Sequence, residues 1–406
     1  MIDRRTLFGG TAAVFGATAA VASSLSAVFK SRSAAAAPTV SALPKDVEVR
    51  GNYTEGRLER LPEMDMESRL EFAQSFRKWS LRDFGRKSSR RINELVENAG
   101  YDPKVSPPIE DVLKIIGDDL TVWSNVRCKT TSQQIMWNAL VDGFHANRDG
   151  YLEELEAADS SGPGTLELNA GLSIPDYTKH EIHIQPGGYI GDPLGGYVYH
   201  YGVNVFTLDL ESEDVFHRDL AAIIPVPEDG KMEKFLDIGT GVAQLPMAVK
   251  ERFPDTDVWG IDVGAPMLRY GHMRAAEQGL DINLAQRLAE DTGFADNSFD
   301  VITAYILFHE VPTEDAKKIL AEVKRILRPG GVFFPVDFKT YTQSQPSASG
   351  RFNQWWDHVH NNEVWTEEYR SSDFLQMMAE AGLTVREDAP TLAPTFWNSV
   401  MAVKSA

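Results

Sequence analysis

Between Met66 and Glu156 the apolar residues recur at helical spacing: Phe72, Phe76 and Trp79, then Ile92, Leu95 and Val96, then Val112, Ile115 and Ile116. Pro107-Pro108 and Asp118-Asp119 have the chemistry of helix boundaries. The pattern predicts a mainly α-helical N-terminal region. Ser160-Ser161-Gly162-Pro163-Gly164 reads as a loop. From 165 to 210, glycines alternate with Tyr189, Tyr197, Tyr199, Tyr201 and Phe206, which reads as irregular structure with short strands or turns. Phe216 to Ile224 has the look of a short helix, and Pro225 to Gly230 is rich in breakers.

Beyond this junction the period changes. Strand-like runs at 234–238, 257–261, 299–305 and 331–338 alternate with helical runs at 244–252, 267–278 and 313–327. Such alternation implies a parallel sheet covered on both faces. Runs at 384–387 and 399–403 read as closing strands. The expected fold is α/β, a Rossmann-like parallel sheet with an antiparallel C-terminal edge strand, plus the mainly α-helical N-terminal region. The expected divisions are 1–40, a leader; 46–230, the helical region with its Gly/Tyr-rich covering segment; and 231–406, the sheet domain with a helical insertion at 341–382.

The densest chemistry lies at Phe235-Leu236-Asp237-Ile238-Gly239-Thr240-Gly241-Val242-Ala243. A buried strand ends in a Gly-rich turn that opens a helix, so backbone can approach a ligand closely. Gln244 stands where a dinucleotide fingerprint needs Gly or Ala. Asp237, at the strand tip, could meet a ligand ammonium. Some twenty residues on, the strand Val258-Trp259-Gly260-Ile261 ends in Asp262, where a carboxylate can accept both hydroxyls of a ribose. The plainer reading of Asp262 is a helix N-cap.

Together with Phe294 to Ile302 and Leu327-Arg328-Pro329-Gly330-Gly331, these motifs resemble class I S-adenosylmethionine (SAM)-dependent methyltransferases, nearest the ubiquinone/menaquinone-biosynthesis type. The resemblance covers about Lys231 to Phe338. It implies that Asp237, Gly239, Thr240 and Gly241 hold the methionine part of SAM, that Asp262 holds the ribose, and that Val263 lies beside the adenine. Met267 and Tyr305 are further candidates around the donor. The family's adenine motif has an acid followed by Ala. Here the pair is Leu288-Ala289, so Glu290 or Asp291 would have to substitute for the missing acid. Ala243 stands where a third glycine is often found.

His309, in Tyr305-Ile306-Leu307-Phe308-His309-Glu310-Val311, follows a strand end and is the candidate proton acceptor. The bland alternative is a histidine hydrogen-bonded at a strand end. Methyl transfer from a sulfonium needs mainly in-line positioning. Tyr197, Tyr201, His309 and Trp355 are candidate walls of a small-molecule substrate site, with core packing as the competing role for the aromatic residues. His180-Glu181-Ile182-His183, with His200 and His217, invites a metal reading, and the His180 and His183 spacing is open to two ligands, but no third ligand has a defined spacing and no metal site is assigned.

Composition narrows the partners. Forty Lys and Arg against 59 Asp and Glu give a formal charge of −19, which disfavours nucleic acid. The run Arg77, Lys78, Arg82, Arg86, Lys87, Arg90 and Arg91 is expected to be a solvated helix face. A single cysteine, Cys128, rules out an intramolecular disulfide. Arg4-Arg5, the uncharged stretch from Thr6 to Phe29, and Ser33 to Pro38 together resemble a twin-arginine export signal. The resemblance implies the twin-arginine translocase as a partner and a periplasmic or exported protein. An uncleaved anchor or a leader on a cytoplasmic protein is the alternative; because SAM is made in the cytoplasm, either the leader is not an export signal or the exported protein does something other than steady methylation. The function expected is methyl transfer from SAM to a small, partly apolar or aromatic acceptor at O, C or N. A non-catalytic SAM-fold binding or interaction protein is the alternative.

Overall fold

A computed structural model describes residues 61, 64–207, 214–391 and 398–405. The leader expected at 1–40, with Arg4-Arg5, lies outside the described residues. No helix among the described residues is long and apolar enough to cross a membrane.

The N-terminal region is helical, as its period predicts. It contains α1 (Met64–Lys78), a π-helical turn at Trp79–Phe84, α2 (Gly85–Asn98), α3 (Ile109–Ile116), α4 (Leu120–Ala146) and α5 (Arg148–Ala158). The face that α1 buries differs from the expected one. Met66, Leu70, Ala73 and Arg77 point inward, whereas Phe72 is 61% and Trp79 45% exposed. The aromatic residues stack on one another instead, with Phe72–Phe76 and Phe76–Trp79 ring centroids 6.1 and 6.0 Å apart. Arg77 also departs from the expected solvated face. It is buried with its guanidinium 4.0 Å from the Phe206 ring centroid and donates to Gln133 Oε1 at 3.1 Å. Burial lowers its pKa to about 10.

The segment expected to be irregular is only partly so. β1 (Thr165–Glu167) is followed by loops and 3-10 turns, but Gly195–Phe206 forms a full helix, α6. Its glycines disguise it. They serve close packing, since a Cβ on Gly202 would lie 2.0 Å from a ring carbon of Trp137 on α4. After α7 (Val215–Ile223) come β2 (Lys234–Ile238), α8 (Gln244–Arg252), β3 (Asp257–Asp262), α9 (Ala265–Glu277), β4 (Ile282–Gln286) and β5 (Phe299–Tyr305). Then follow α10 (Thr313–Ile326), β6 (Leu327–Asp337), α11 (Ala348–His360), α12 (Thr366–Ser371), α13 (Phe374–Glu380), β7 (Leu383–Arg386), β8 (Asn398–Ser399) and β9 (Met401–Lys404).

The strands form one sheet in the order β1-β4-β3-β2-β5-β6-β9-β7, with β8 also pairing to β6. Pairings from β1 to β6 are parallel, and those of β8 and β9 are antiparallel. This is the expected α/β class with its antiparallel edge. β4 went unanticipated because its five residues carry a weak alternation, and β1 joins the sheet from outside the alternating region. Strand order reverses between β2 and β5, and ligands of open α/β sheets bind at such a switch point, beyond the carboxyl ends.

Helices before the sheet are tied to it by a buried polar network. Asp214 accepts from Gln244 Nε2 at 2.8 Å and Arg274 Nη2 at 3.1 Å, and its Oδ1 lies 3.7 Å from His200 Nε2. His200 Nδ1 is 2.9 Å from the Tyr270 hydroxyl. Tyr197, Tyr201 and Val205 of α6 share an apolar cluster with Trp137 of α4 and with Met267, Tyr270 and Met273 of α9. Gly202→Ala is expected to overpack the α4–α6 contact and cost about 1–3 kcal/mol. Urea unfolding would show this as a lower midpoint, and an unchanged midpoint would contradict the packing.

Candidate functional site

The turn after β2 is built from left-handed backbone. Gly239, Gly241 and Ala243 have φ of 69°, 54° and 60°. Glycine takes this conformation freely, and alanine does so at roughly 1–2 kcal/mol, which explains why a third glycine would be favoured at 243. The Gly239 and Thr240 amides both donate to the Ile261 carbonyl, at 2.9 and 3.0 Å. The turn is thereby fastened across to β3. A Cβ placed on Gly241 would meet nothing nearer than Met267 Cε at 3.9 Å, so the turn presents bare backbone to open space.

Asp262 closes this cradle. Its Oδ2 accepts from Gly241 N–H at 2.9 Å and its Oδ1 from Gly264 N–H at 2.7 Å. Gly264 is the N-cap of α9. The plainer reading of Asp262 as a helix N-cap therefore fails, since no side chain caps α9, and each of its carboxylate oxygens keeps a second lone pair for a ligand. Burial raises its pKa, against the backbone donors that pull it down. Asp237, fully buried, accepts from Thr303 Oγ1 at 2.7 Å. Burial pushes its pKa up to about 6.

The remaining predicted residues separate into groups. Val263 is bound through its carbonyl by Gln286 Nε2 at 3.0 Å, and Met267 is buried beneath the turn. Tyr305 is half-buried against His217 of α7, with ring centroids 5.2 Å apart. His217 also lowers the pKa of Asp237 electrostatically, so a residue from before the sheet reaches the end of β2. The sequence had offered His217 only as part of a weak metal pattern. Ala289 is half-buried and Asp291 exposed. Glu290 accepts from the Tyr177 hydroxyl at 2.5 Å, in the lining of a cavity of about 610 Å³ with Leu288, Lys318 and Trp365.

Beyond β5 the chain turns through Ile306, a β-branched residue at φ 48°, the kind of strain that concentrates at sites. His309 is buried in the next turn. Asp337, ending β6, accepts from Phe308 N–H at 2.9 Å and lies 2.8 Å from His309 Nδ1. Burial opposes the imidazolium, but Asp337 and Glu363 outweigh it and raise the pKa of His309. His309 Nε2 lies 3.6 Å from Glu310 and 3.7 Å from Glu363. Burial and the Glu363 carboxylate hold the Glu310 carboxyl well above its ordinary range. His183 completes the group, 2.9 Å from Glu363 Oε1. Gln133 and Trp137 of α4 donate to its carbonyl at 2.6 and 2.8 Å, holding it at φ 54°. Sequence spacing did not reveal this cluster, because its members are scattered over 180 positions and meet only through the fold.

Tyr197, Tyr201 and Trp355 are not brought to this cluster. Tyr197 and Tyr201 pack around Phe144, both with ring centroids 5.3 Å away, and Tyr197 donates to Glu154. Trp355 packs against Trp123 and Phe352 in a separate cluster formed with α2, α3 and α4. Tyr189 instead borders the site. Its carbonyl would be 2.8 Å from a Cβ on Gly264, and Asp262, Glu310 and Glu363 all act on its hydroxyl electrostatically.

Residues 235–331 match the model of the family described as "Methyltransferase domain". A demethylmenaquinone methyltransferase of Thermus thermophilus is 33% identical over 106 residues, 26% of this chain and 47% of that protein. A ubiquinone/menaquinone biosynthesis C-methyltransferase of Cupriavidus metallidurans is 35% identical over 107 residues, 26% and 43% of the two chains. Over this stretch the chain resembles methyltransferases. The chain spans less than half the length of these curated relatives. Among solved structures, an O-methyltransferase family protein of Burkholderia thailandensis superposes with a TM-score of 0.41 at 14% identity, over 51% of this chain and 60% of that one.

SAM, the cofactor of this domain family, fits the residues present. The bare turn at Gly241 leaves room for the donor. Asp262 keeps lone pairs for two hydroxyls, and Asp237 is a buried carboxylate that an ammonium would neutralise. The folded pKa of Asp237, about 6, lies above the unfolded value of about 3.9. The stabilisation it gives the ligand-free fold is therefore present below about pH 4 and lost as pH rises through about 6. An ammonium ligand needs the ionised form. Calorimetry should show SAM affinity falling by up to about tenfold per pH unit below about 6. Equal affinity at about pH 5 and pH 7.5 would contradict the assignment of Asp237.

Proposed function

We propose that this chain transfers a methyl group from SAM to a small, partly apolar or aromatic acceptor carrying an oxygen function. The observation that supports this reading is the juxtaposition of two unlike sites at one end of the sheet. One is the glycine cradle closed by Asp262, and the other is the buried His309–Glu310–Glu363 group at the end of β5. Tyr189 borders the cradle through its carbonyl beside Gly264. When bound, SAM supplies an electrophilic methyl on a sulfonium.

The work of the chain's own residues is then positioning and proton management. Asp262 would fix the ribose and Asp237 the ammonium, which leaves the donor little freedom and favours an in-line approach. Val263, Leu288 and Ala289 would border the adenine, with Glu290 held by Tyr177 in the place of the missing acid. Asp337 fixes the His309 ring through Nδ1, so Nε2 is the atom directed at the polar end of an acceptor. Tyr177, His183 and Tyr189 come from one segment and would cover the bound pair, excluding water. The relatives' names point to quinone-type acceptors. A demethylated quinol is the first acceptor to test, with methylation at carbon or oxygen as the outcomes to distinguish.

Purified full chain with labelled SAM, a demethylated quinol and a panel of small phenols should transfer label to at least one acceptor. His309→Gln should lower kcat by about 100-fold or more if its proton transfer contributes the usual factor, with SAM affinity little changed. SAM binding without label transfer to any acceptor, including those in a cell extract, would favour the non-catalytic binding protein instead.

A further inference from the structure

The group around Glu363 has an unresolved charge problem. Glu310 and Glu363 are drawn together at the end of β5, and the Glu363 side chain is 5% exposed. Glu363 Oε2 and Glu310 Oε2 are buried with no hydrogen-bond donor among the described residues. Two buried carboxyl groups so placed must either share a proton or hold a cation between them. The neighbouring imidazoles only partly answer this. His183 reaches Glu363 Oε1, while His309 stays 3.7 Å from Oε2, beyond hydrogen-bonding distance.

The donor atoms themselves suggest the occupant. One atom each from His183, Glu310 and Glu363 lie within 4.8 Å of one another. That is close to the span of ligands on opposite sides of one ion, each about 2.1 Å away. The supporting shell is of the kind metal sites use. His309, fixed by Asp337 at 2.8 Å from its Nδ1, flanks the group and would stand behind the two glutamate ligands as an outer-shell partner. Gln133 and Trp137 hold His183 by its carbonyl, and its ring Nδ1 lies 2.9 Å from Glu363 Oε1 and 3.2 Å from Asn361 Nδ2.

We propose that His183, Glu310 and Glu363 bind a divalent transition-metal cation. Mixed imidazole and carboxylate donors suit zinc, iron or manganese better than magnesium. Resting on the methyltransferase reading for its use, the cation would take an acceptor oxygen as a further ligand and lower that oxygen's proton affinity. Metal binding itself does not depend on methyl transfer, so it is tested without SAM.

Full chain stripped with chelator is titrated in a calorimeter with Zn²⁺ and, separately, Mn²⁺. Saturable binding of one equivalent of at least one of them is expected. Glu363→Gln and Glu310→Gln should each weaken it by about tenfold or more. His145→Gln, at the remote His145–Asp192 pair, should leave it unchanged. Circular dichroism checks each fold, and if Glu363→Gln does not fold, His183→Gln, less buried at 23% side-chain exposure, takes its place. No saturable binding by the wild type would overturn the proposal and leave a shared proton between the two glutamates. So would unchanged binding in the folded variants, or an equal loss in His145→Gln.

Discussion

The carboxylate of Asp262 is the constraint on which the rest of the site depends. It grips the Gly241 amide with one oxygen and the Gly264 amide with the other. Three structures are fixed at once: the left-handed turn after β2, the end of β3, and the first turn of α9. Hydrogen bonds to a charged group contribute about 1.5–3 kcal/mol each, enough to hold a turn whose alanine at 243 sits in a disfavoured conformation. The same two bonds orient the carboxylate, so the group that shapes the cradle is also the one a ribose would meet.

The second organising feature is the docking of the N-terminal helices onto this end of the sheet. Asp214, Arg274, Gln244 and His200 form a buried polar network beside the cradle. Breaking one member would strand the others without partners, an expensive outcome in a low-dielectric interior. Trp137 has two roles, packing against Gly202 and donating to the His183 carbonyl. The helical region therefore does more than shield the sheet. It delivers His183, Tyr189 and His217 to positions around the donor cradle.

What could be read from the sequence follows from how local each signal is. The turn from Asp237 to Ala243 and the strand ending at Asp262 were legible because a continuous run must alternate burial, bend at glycine and open a helix. The parallel sheet followed from the same alternation. β4 was missed because five residues, Ile282 to Gln286, hold too little periodicity to stand out. Helix α6 was hidden by its own glycines, which look like loop residues until Trp137 is seen filling the space beside Gly202. Phe72 and Trp79 misled because helical spacing reports an apolar stripe without saying what covers it. His183, His309, Glu310, Asp337 and Glu363 form a site only in three dimensions. No spacing rule could have gathered them from four separate segments.

The account stands most directly on whether SAM occupies the cradle closed by Asp262. Calorimetric titration of the wild type and of Asp262→Ala with SAM, with NADH as a control, addresses this alone. The wild type should bind SAM and not NADH, and the substitution should weaken SAM binding by roughly tenfold or more as a charge-assisted hydrogen bond is lost. Unchanged SAM affinity in a folded Asp262→Ala protein would contradict the account.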